Sequence, residues 1–227
     1  LKRYYLRGSE TVKAIDGVDL DIFSGEMVSI LGPSGSGKTT LIHLLSCLDA
    51  PSAGTLSVTG KTVTGLGEDE LTKVRRGVLG FVFQKFYLLP TLNVAENVEL
   101  PLLFYRKAVE REQTMEVLRR VGLEDRAKHM PNELSGGQMQ RVAIARGLII
   151  KPKVLIADEP TGNLDTENGE AVFQLFRTLV GEQGISVLVT THNLLFGYLA
   201  DRIVTLRDGK VVREEKGPRQ SSAGACV

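Results

Sequence analysis

The sequence has no tryptophan, and its two cysteines are Cys47, inside an apolar helical pattern, and Cys226, near the last residue. Two cysteines so placed give no disulfide framework, which favours a reducing compartment. No apolar run approaches the roughly 20 residues that a membrane-spanning helix needs, and no charged-then-apolar signal segment begins the chain. We therefore expect a soluble protein that is not secreted.

Neither sign of charge is in excess, since 28 Lys and Arg residues face 27 Asp and Glu residues, for a formal net charge of +1. The arginine pairs at 75–76 and 119–120 lie in mixed-charge helical patterns and form no basic stripe, so we expect no nucleic-acid partner. With 227 residues, 42% of them hydrophobic, the chain is long enough to bury a substantial core.

Glycine, in contrast, is abundant, and three glycines of the first half form a phosphate-binding pattern. Residues 32–39 read GPSGSGKT, which matches G-x-x-x-x-G-K-[ST]. The apolar segment before it predicts a buried strand at 27–31, and residues 38–48 predict a helix with four leucines on one face. In this setting Lys38 reaches phosphate oxygens and Thr39 ligates Mg²⁺. The alternative is a glycine-rich turn with an incidental lysine, which both flanking patterns disfavour.

Two acids follow a second apolar run. Residues 154–157 predict a buried strand, after which come Asp158 and Glu159. Ligands bind at the carboxyl ends of strands in parallel sheets, so Asp158 is expected in the Mg²⁺ shell and Glu159 beside an attacking water. The alternative, two solvated loop acids, is weak once the upstream loop is considered.

Three further polar residues fall at or after predicted strand ends: Gln84, Asp165 and His192. We expect all three to meet one phosphate. An isolated histidine is more often structural or merely exposed. A functional role for His192 is favoured only because the residue follows the carboxyl end of a predicted strand.

The sequence LSGGQ at 134–138 predicts a second, separate phosphate contact. Ser135 and Gly137 lie where a helix begins, at about 137–149, and a helix start favours an anion. Since the first loop already holds a triphosphate, the second contact is expected to face the γ-phosphate of another copy. The alternative is a helix cap, which explains the serine but neither the glycine pair nor Gln138.

In this order the motifs resemble the ATP-binding cassette (ABC) ATPases, over nearly the whole chain. In the resemblance, residues 32–39 correspond to the Walker A loop and residues 134–138 to the signature. It implies a head-to-tail homodimer with two MgATP, each between the Walker A loop of one copy and the signature of the other. Catalytic roles are implied for Glu159, His192 and Gln84, and Mg²⁺ ligation for Thr39, Gln84 and Asp158. The ATP-binding residues that it implies are Tyr5, Gly32, Pro33, Ser34, Gly35, Ser36, Gly37, Lys38, Thr39, Thr40, Ser135, Gly137, Gln138 and Asp165.

At two positions the comparison with the family pattern needs comment. Tyr5 matches the aromatic that stacks on adenine in the family, and Tyr4 is adjacent to it. Asn193 follows His192 where many relatives carry aspartate, which bears on how the histidine is held.

Within the family, four segments resemble the lipoprotein-releasing (LolD-like) and macrolide-exporting (MacB-like) branch: CLD at 47–49, LPT at 89–91, ENVELP at 96–101 and PTGNLD at 160–165. The resemblance implies an ATPase at the cytoplasmic face of the cell membrane, bound to separate permease subunits for export, lipoprotein release or mechanotransmission. A non-transport ATPase of a cell-division type of membrane complex remains the alternative. A cassette of translation or DNA repair is disfavoured because the chain has no tandem cassette and no long coiled coil.

The predicted fold is α/β, with a P-loop NTPase (RecA-like) core, an antiparallel β subdomain and an inserted α-helical subdomain. We place the core and the antiparallel strands at 1–86, the helical subdomain at 87–150, the remaining core at 151–215 and a flexible tail at 216–227.

Several elements are predicted individually. Alternation predicts a half-exposed strand at 18–22, and further antiparallel strands are expected at 55–63. Asn93 and Glu96 predict a capping box for a helix that Pro101 stops. Asp208 and Gly209 predict a hairpin turn. The apolar residues at 81–90 and 100–104 are interpreted equally as core packing or as a docking site for a membrane partner.

Overall fold

A six-stranded sheet lies at the centre of the computed structural model, which describes residues 1–218. Within the described residues, four of the five pairings in this sheet are parallel, and the fifth, between β10 and β9, is antiparallel. This arrangement agrees with the predicted α/β core. In spatial order the strands are β10 (Lys210–Lys216), β9 (Arg202–Arg207), β3 (Met27–Leu31), β8 (Ser186–Thr191), β7 (Val154–Asp158) and β6 (Leu79–Val82).

Two small antiparallel hairpins accompany the large sheet. They are β1 (Lys2–Arg7) with β2 (Glu10–Asp16), and β4 (Ser57–Val58) with β5 (Lys61–Thr62). The strand predicted at 18–22 is wrong, because no neighbouring strand pairs with this segment. Its alternation is nevertheless real, since Val18 is buried whereas Asp19 and Asp21 are exposed.

The helices occupy both faces of the large sheet. Three helices pack against one another and share one hydrophobic core with a face of the sheet: α3 (Val94–Phe104), α4 (Arg111–Arg120) and α5 (Gly136–Leu148). Helix α1 (Lys38–Leu45) packs into a second core on the other face. The other helices are α2 (Glu68–Val78), α6 (Thr166–Gln183) and α7 (Leu194–Gly197), with short 3₁₀ turns at Glu124–Arg126 and Pro131–Glu133.

Two helix ends differ from the sequence prediction. Helix α1 stops at Leu45 instead of residue 48, because Cys47 turns into the left-handed region at φ 57° and Leu48 faces solvent. Helix α3 begins at the predicted capping box but continues through Pro101 to Phe104. The proline removes one helical N–H. The turn after it is held by the buried Leu102 and by the Tyr105 N–H, which donates to the Pro101 carbonyl at 3.1 Å.

The final hairpin has the predicted turn. Asp208 and Gly209 both have positive φ, 49° and 73°, as a two-residue hairpin loop requires. The outer strand β10 carries five charged side chains and a register shift between Val211 and Arg213. The predicted tail begins at Lys216, yet Lys216 pairs within β10; residues 219–227 of that tail lie outside the described residues.

No helix within residues 1–218 combines the length and the apolar composition that crossing a bilayer requires. The division of the chain into the predicted subdomains stays a prediction, although the helices α3, α4 and α5 do fall inside the segment 87–150.

Aromatic rings fill the space between α6 and α7. The Phe173 ring is fully buried and stacks on the Phe196 ring at a centroid distance of 5.2 Å, and the Phe176 ring meets it edge-on at 6.0 Å. This group joins α6 to the short helix that follows β8 and therefore supports the segment that carries His192.

Phe173→Ala is expected to lower the free energy of unfolding by about 3–5 kcal/mol, because it leaves a cavity among these rings. Urea denaturation followed by circular dichroism measures the change. Leu6, 82% exposed on β1, provides the control, and Leu6→Ala should change stability by less than about 0.5 kcal/mol. Equal stability of the two variants would contradict the central position of the Phe173 ring.

Candidate functional site

The glycine-rich loop connects β3 to α1 and packs tightly against its neighbours. A side chain at Gly32 would clash with the Leu206 carbonyl, and one at Gly37 would clash with the Ala14 carbonyl. Gly37 also has φ 102°, which L-residues rarely adopt, and it forms the N-cap of α1. The loop thus brings a helix start, with its partial positive charge, to the edge of the sheet.

The Lys38 side chain lies almost completely buried under this loop. Its ammonium donates hydrogen bonds to the carbonyls of Gly32 and Pro33, at 2.8 and 3.1 Å. The same nitrogen is 3.5 Å from a carboxylate oxygen of Glu159. The loop, the lysine and the acid after β7 therefore form one cluster.

Glu159 is the centre of that cluster. One carboxylate oxygen faces Lys38, and the other lies 3.4 Å from Nδ1 of His192. The residue has φ 44°, a left-handed conformation that few non-glycine residues adopt, so the chain turns sharply as it leaves β7. The loop lysine and the histidine after β8 thus meet at the carboxylate that follows β7.

A residue that the sequence analysis missed holds the two acids in place. The buried Thr190 hydroxyl lies 2.7 Å from Oδ1 of Asp158 and accepts a hydrogen bond from the Glu159 N–H at 2.9 Å. The signal in the sequence is a hydroxyl residue at the end of β8, two positions before His192. Its meaning depends on strand register, which the sequence alone does not show.

Two clefts meet at Thr39. The first, of about 450 Å³, lies between the phosphate loop and β2, and the second, of about 680 Å³, opens toward the helices. Residues lining the first include Val12, Lys13, Ser34, Gly35, Gly37, Lys38, Thr39, Thr40 and Glu159. Residues lining the second include Thr39, His43, Phe83, Gln84, Tyr87, Pro101, Phe104, Arg146 and Asp158.

The second cleft contains all three residues predicted as Mg²⁺ ligands: Thr39, Gln84 and Asp158. Hydroxyl, amide and carboxylate oxygens are donors that Mg²⁺ accepts, and Mg²⁺ commonly takes few protein ligands together with substrate phosphates. The described residues contain no group of three His, Cys, Asp or Glu side chains that could hold a metal by themselves. The donor set therefore fits Mg²⁺ bound together with a nucleotide.

The hydrogen bonds at the start of α5 change the interpretation that the sequence suggested for Gln138. The Ser135 hydroxyl accepts from the Gln138 N–H at 3.3 Å, and the Gln138 side chain accepts from the Ser135 N–H at 2.8 Å. This reciprocal capping box explains both residues within one chain. The expectation that a cap leaves Gln138 unexplained was therefore wrong.

Gly137 is also explained within the chain, because a side chain there would clash with the Asn168 amide. No such clash explains Gly136, because a Cβ at that position would contact only the Leu164 side chain, at an ordinary van der Waals distance of 3.6 Å. The glycine that no intramolecular contact requires is thus Gly136, which lies at the first turn of α5.

Asp165 does not join the cluster around Glu159. It caps α6, where its carboxylate accepts from the backbone and the side-chain amide of Asn168. These hydrogen bonds hold the pKa of Asp165 below its ordinary value. Neither Asp165 nor His192 is among the residues that line the two clefts, and the expectation that Gln84, Asp165 and His192 meet one phosphate stays a prediction.

Asn193 and Tyr5 occupy supporting positions. The Asn193 side chain caps α7 by accepting from the Leu195 N–H at 3.0 Å. The Tyr5 hydroxyl donates to Asp49 at 2.7 Å, and the guanidinium of Arg3 lies 4.6 Å from the ring centroid. Tyr5 is not among the residues lining the first cleft, and its stacking on adenine stays a prediction.

Arg146 links α5 to the segment that follows β6. Its guanidinium donates to the carbonyls of Phe86 and Tyr87, both at 2.7 Å. Burial lowers the pKa of this arginine from its ordinary value. The helix that begins with LSGGQ is thereby tied to the segment that begins with Gln84.

Comparisons with known proteins agree with this arrangement. A family model described as ABC transporter matches residues 15–162. The ABC transporter ATP-binding protein MJ0796 of Methanocaldococcus jannaschii is 49% identical over 218 residues, which are 93% of each chain. The macrolide export ATP-binding/permease protein MacB of Bdellovibrio bacteriovorus is 44% identical over 216 residues, which are 95% of this chain and 33% of MacB.

A solved structure is similar over the same extent. The dimeric post-hydrolysis structure of the ATP-binding cassette MJ0796 bound to ADP and Pi superposes with a TM-score of 0.86 at 47% identity, covering 95% of both chains. The family model spans more than half of the sequence, and the relatives confirm the resemblance to the branch that includes MacB. The chain belongs to the ABC transporter family.

Proposed function

We propose that the chain is the ATP-binding and ATP-hydrolysing subunit of a membrane ABC transporter, and that two copies close head to tail around two MgATP. The observation that carries the proposal is the position of the Glu159 carboxylate, 3.5 Å from the Lys38 ammonium and 3.4 Å from His192. Membership of the ABC transporter family supports ATP as the substrate, and hydrolysis to ADP and phosphate as the reaction.

Nucleotide binding begins at the phosphate loop. The helix start at Gly37 offers backbone amides and a partial positive charge to the β- and γ-phosphates. Lys38 exchanges the neutral carbonyls of Gly32 and Pro33 for charged phosphate oxygens, which are stronger acceptors. Val12, Lys13 and Thr40 line the same cleft and border the rest of the nucleotide.

Thr39, Gln84 and Asp158 are the residues that would hold Mg²⁺. When bound, the cation neutralises charge on the phosphate oxygens. Gln84 also lies at the start of the segment that faces the second cleft, so its side chain links the nucleotide to that cleft.

Hydrolysis then depends on placement more than on unusual side chains. Glu159 orients a water molecule in line with the γ-phosphate and accepts its proton, and His192 donates toward a γ-phosphate oxygen. Lys38 compensates the charge that develops on the same phosphate. These groups already lie around one point in the single chain.

The second copy completes the pocket through the start of α5. Ser135, Gly136 and Gln138 lie at a helix start, which favours an anion, and no contact within the chain requires a glycine at 136. The dimeric structure of the similar cassette with ADP and Pi supports this arrangement. Asp165, which Asn168 connects to the same helix start, lies close to the expected contact between copies.

The second cleft is the proposed docking site for the permease. It is lined by the exposed rings of Phe83, Tyr87 and Phe104, and large exposed apolar side chains in one place are typical of partner contacts. Thr39 and Asp158 line the same cleft, so a partner segment seated there lies beside the γ-phosphate end of the nucleotide.

We propose that ATP hydrolysis drives export, lipoprotein release or mechanotransmission, and that the subunit binds at the cytoplasmic face of the membrane. The name of the MacB relative, an ATP-binding/permease protein of which this chain covers one third, supports a permease partner. An ATPase that regulates a division-type membrane complex would use the same site, and the MacB relatives favour transport over it.

Glu159→Gln should lower the rate of ATP hydrolysis by about 10²- to 10⁴-fold, because the amide no longer accepts the proton of water. ATP affinity should be retained, and ATP should convert the variant to a stable dimer. Phosphate release and light scattering with and without ATP measure the two effects. A variant that hydrolyses ATP normally would refute the role given to Glu159.

Lys38→Ala is the matched variant, on the other side of the same ion pair. It should weaken ATP binding itself, by roughly 10- to 100-fold, because a charge-assisted contact to phosphate is lost. Unchanged affinity in a fluorescent-nucleotide titration would argue against the phosphate loop as the binding site.

Gly136→Asp tests the contact between copies. An acid in the first turn should leave α5 as stable as before or more so, whereas it repels a partner's phosphate and should lower hydrolysis roughly tenfold or more. The ATP-induced dimer of Glu159→Gln should disappear when Gly136→Asp is added. Dimers of unchanged stability in sedimentation would contradict the head-to-tail arrangement.

Phe104→Ser tests the docking cleft. When the variant is co-expressed with a permease subunit that binds the unmodified chain, it should co-purify poorly, and the permease should stimulate its ATP hydrolysis less than that of the unmodified chain. Leu6→Ser is the control, because Leu6 is also a large exposed apolar side chain but lies on the β1–β2 hairpin. Equal stimulation of both variants would refute docking at this cleft, and a six-span importer permease as the partner would refute the assigned branch.

A further inference from the structure

Thr190 occupies a position between the two acids that the mechanism uses. It faces Asp158 directly in the parallel pairing of β8 with β7, and its side chain is fully buried. Its hydroxyl oxygen lies 2.7 Å from Oδ1 of Asp158 and 2.9 Å from the backbone nitrogen of Glu159. No other described side chain is recorded as bonding to both of these residues.

The direction of both hydrogen bonds follows from the groups involved. The Glu159 backbone nitrogen only donates, so the Thr190 oxygen accepts from it. The single hydroxyl proton then points to the Asp158 carboxylate, which accepts. One hydroxyl group therefore fixes an oxygen of the first acid and the peptide nitrogen of the second.

The backbone explains why Glu159 needs this contact. The ladder between β7 and β8 ends at the Asp158–Thr190 pair, and the next residue turns to φ 44°. The Glu159 N–H therefore lies beyond the backbone hydrogen bonds of the sheet, and it donates to the Thr190 hydroxyl instead of to a backbone carbonyl. A left-handed residue persists only where its surroundings hold it.

The orientation of that turn decides where the Glu159 carboxylate lies. Its two oxygens are within 3.5 Å of Lys38 and His192, the groups assigned to the γ-phosphate. A misplacement of about 1 Å in a reacting group costs on the order of 10²-fold in rate. Asp158, which the same hydroxyl holds, lines the cleft that contains Thr39 and Gln84.

We propose that Thr190 is a positioning residue for ATP hydrolysis, which orients the Glu159 carboxylate toward water and the Asp158 carboxylate toward Mg²⁺ through one buried hydroxyl. The inference rests on the proposed function. It adds a residue of β8 to a site that was otherwise assigned to the phosphate loop, the end of β7 and His192.

The test compares Thr190→Val, which removes the hydroxyl at nearly constant volume, with Thr190→Ser, which keeps it. Thr190→Val should lower kcat by about 10- to 100-fold, the range seen when a hydrogen-bond partner of a metal ligand is lost. The Mg²⁺ concentration that half-saturates MgATP binding should rise by about tenfold, whereas ATP affinity in EDTA should stay within about twofold. Thr190→Ser should restore kcat and Mg²⁺ dependence to within about threefold of the unmodified protein.

A matched control comes from the helical part of the chain. The Thr114 hydroxyl is equally buried and donates to a Glu99 carboxylate oxygen at 2.8 Å. Thr114→Val therefore removes the same kind of bond between α4 and α3, at two residues that line neither cleft. It should match Thr190→Val in urea denaturation while leaving kcat and Mg²⁺ dependence unchanged. If Thr190→Val does not fold, Thr190→Ala repeats the comparison with a smaller side chain.

The outcomes separate this inference from the proposed function. If the unmodified chain neither binds nor hydrolyses MgATP, both are wrong. If it is active and Thr190→Val has the same kcat and Mg²⁺ dependence, only the role of Thr190 is wrong. That role is also refuted if Thr190→Ser fails to restore kcat, or if Thr114→Val lowers kcat as much as Thr190→Val.

Discussion

The parallel, in-register pairing of β3, β8 and β7 is the constraint on which the site depends. It sets Leu31 opposite Thr191 and Asp158 opposite Thr190, so the phosphate loop, the two acids and His192 all leave the sheet at one edge. Neighbouring strands lie about 4.8 Å apart, which brings groups on adjacent strand ends within contact distance. Every residue of β3 and of β8 is buried. A shift of one residue in the pairing register would turn the side chains of each face of the sheet toward the opposite core.

The elements of the core were predictable because each has a local signal. The strands before residue 32 and after residue 153, the capping box at Asn93 and the turn at Asp208 follow from short patterns, and the structure has all of them. The failures depend on contacts distant in sequence. Alternation at 18–22 lacks a partner strand, and Pro101 is tolerated because the buried Leu102 and the helices around it hold α3 together.

The site was predicted less completely than the core. Lys38, Glu159 and His192 do meet, since motif and strand end determine their places. Asn168 binds Asp165, and the capping box accounts for Gln138, although its S-x-x-Q pattern was visible in the sequence. Thr190 was missed because its two hydrogen bonds depend on strand register and on the left-handed turn at Glu159, neither of which appears as a motif.

The strand β10 has a consequence for assembly. It is an outer strand of the large sheet, and charged residues occupy five of its seven positions, next to a register shift. An open strand without such charges would recruit further strands and lead to fibrous aggregates. Extension of the sheet is therefore disfavoured at this border, which is consistent with the proposed contact between copies through the start of α5.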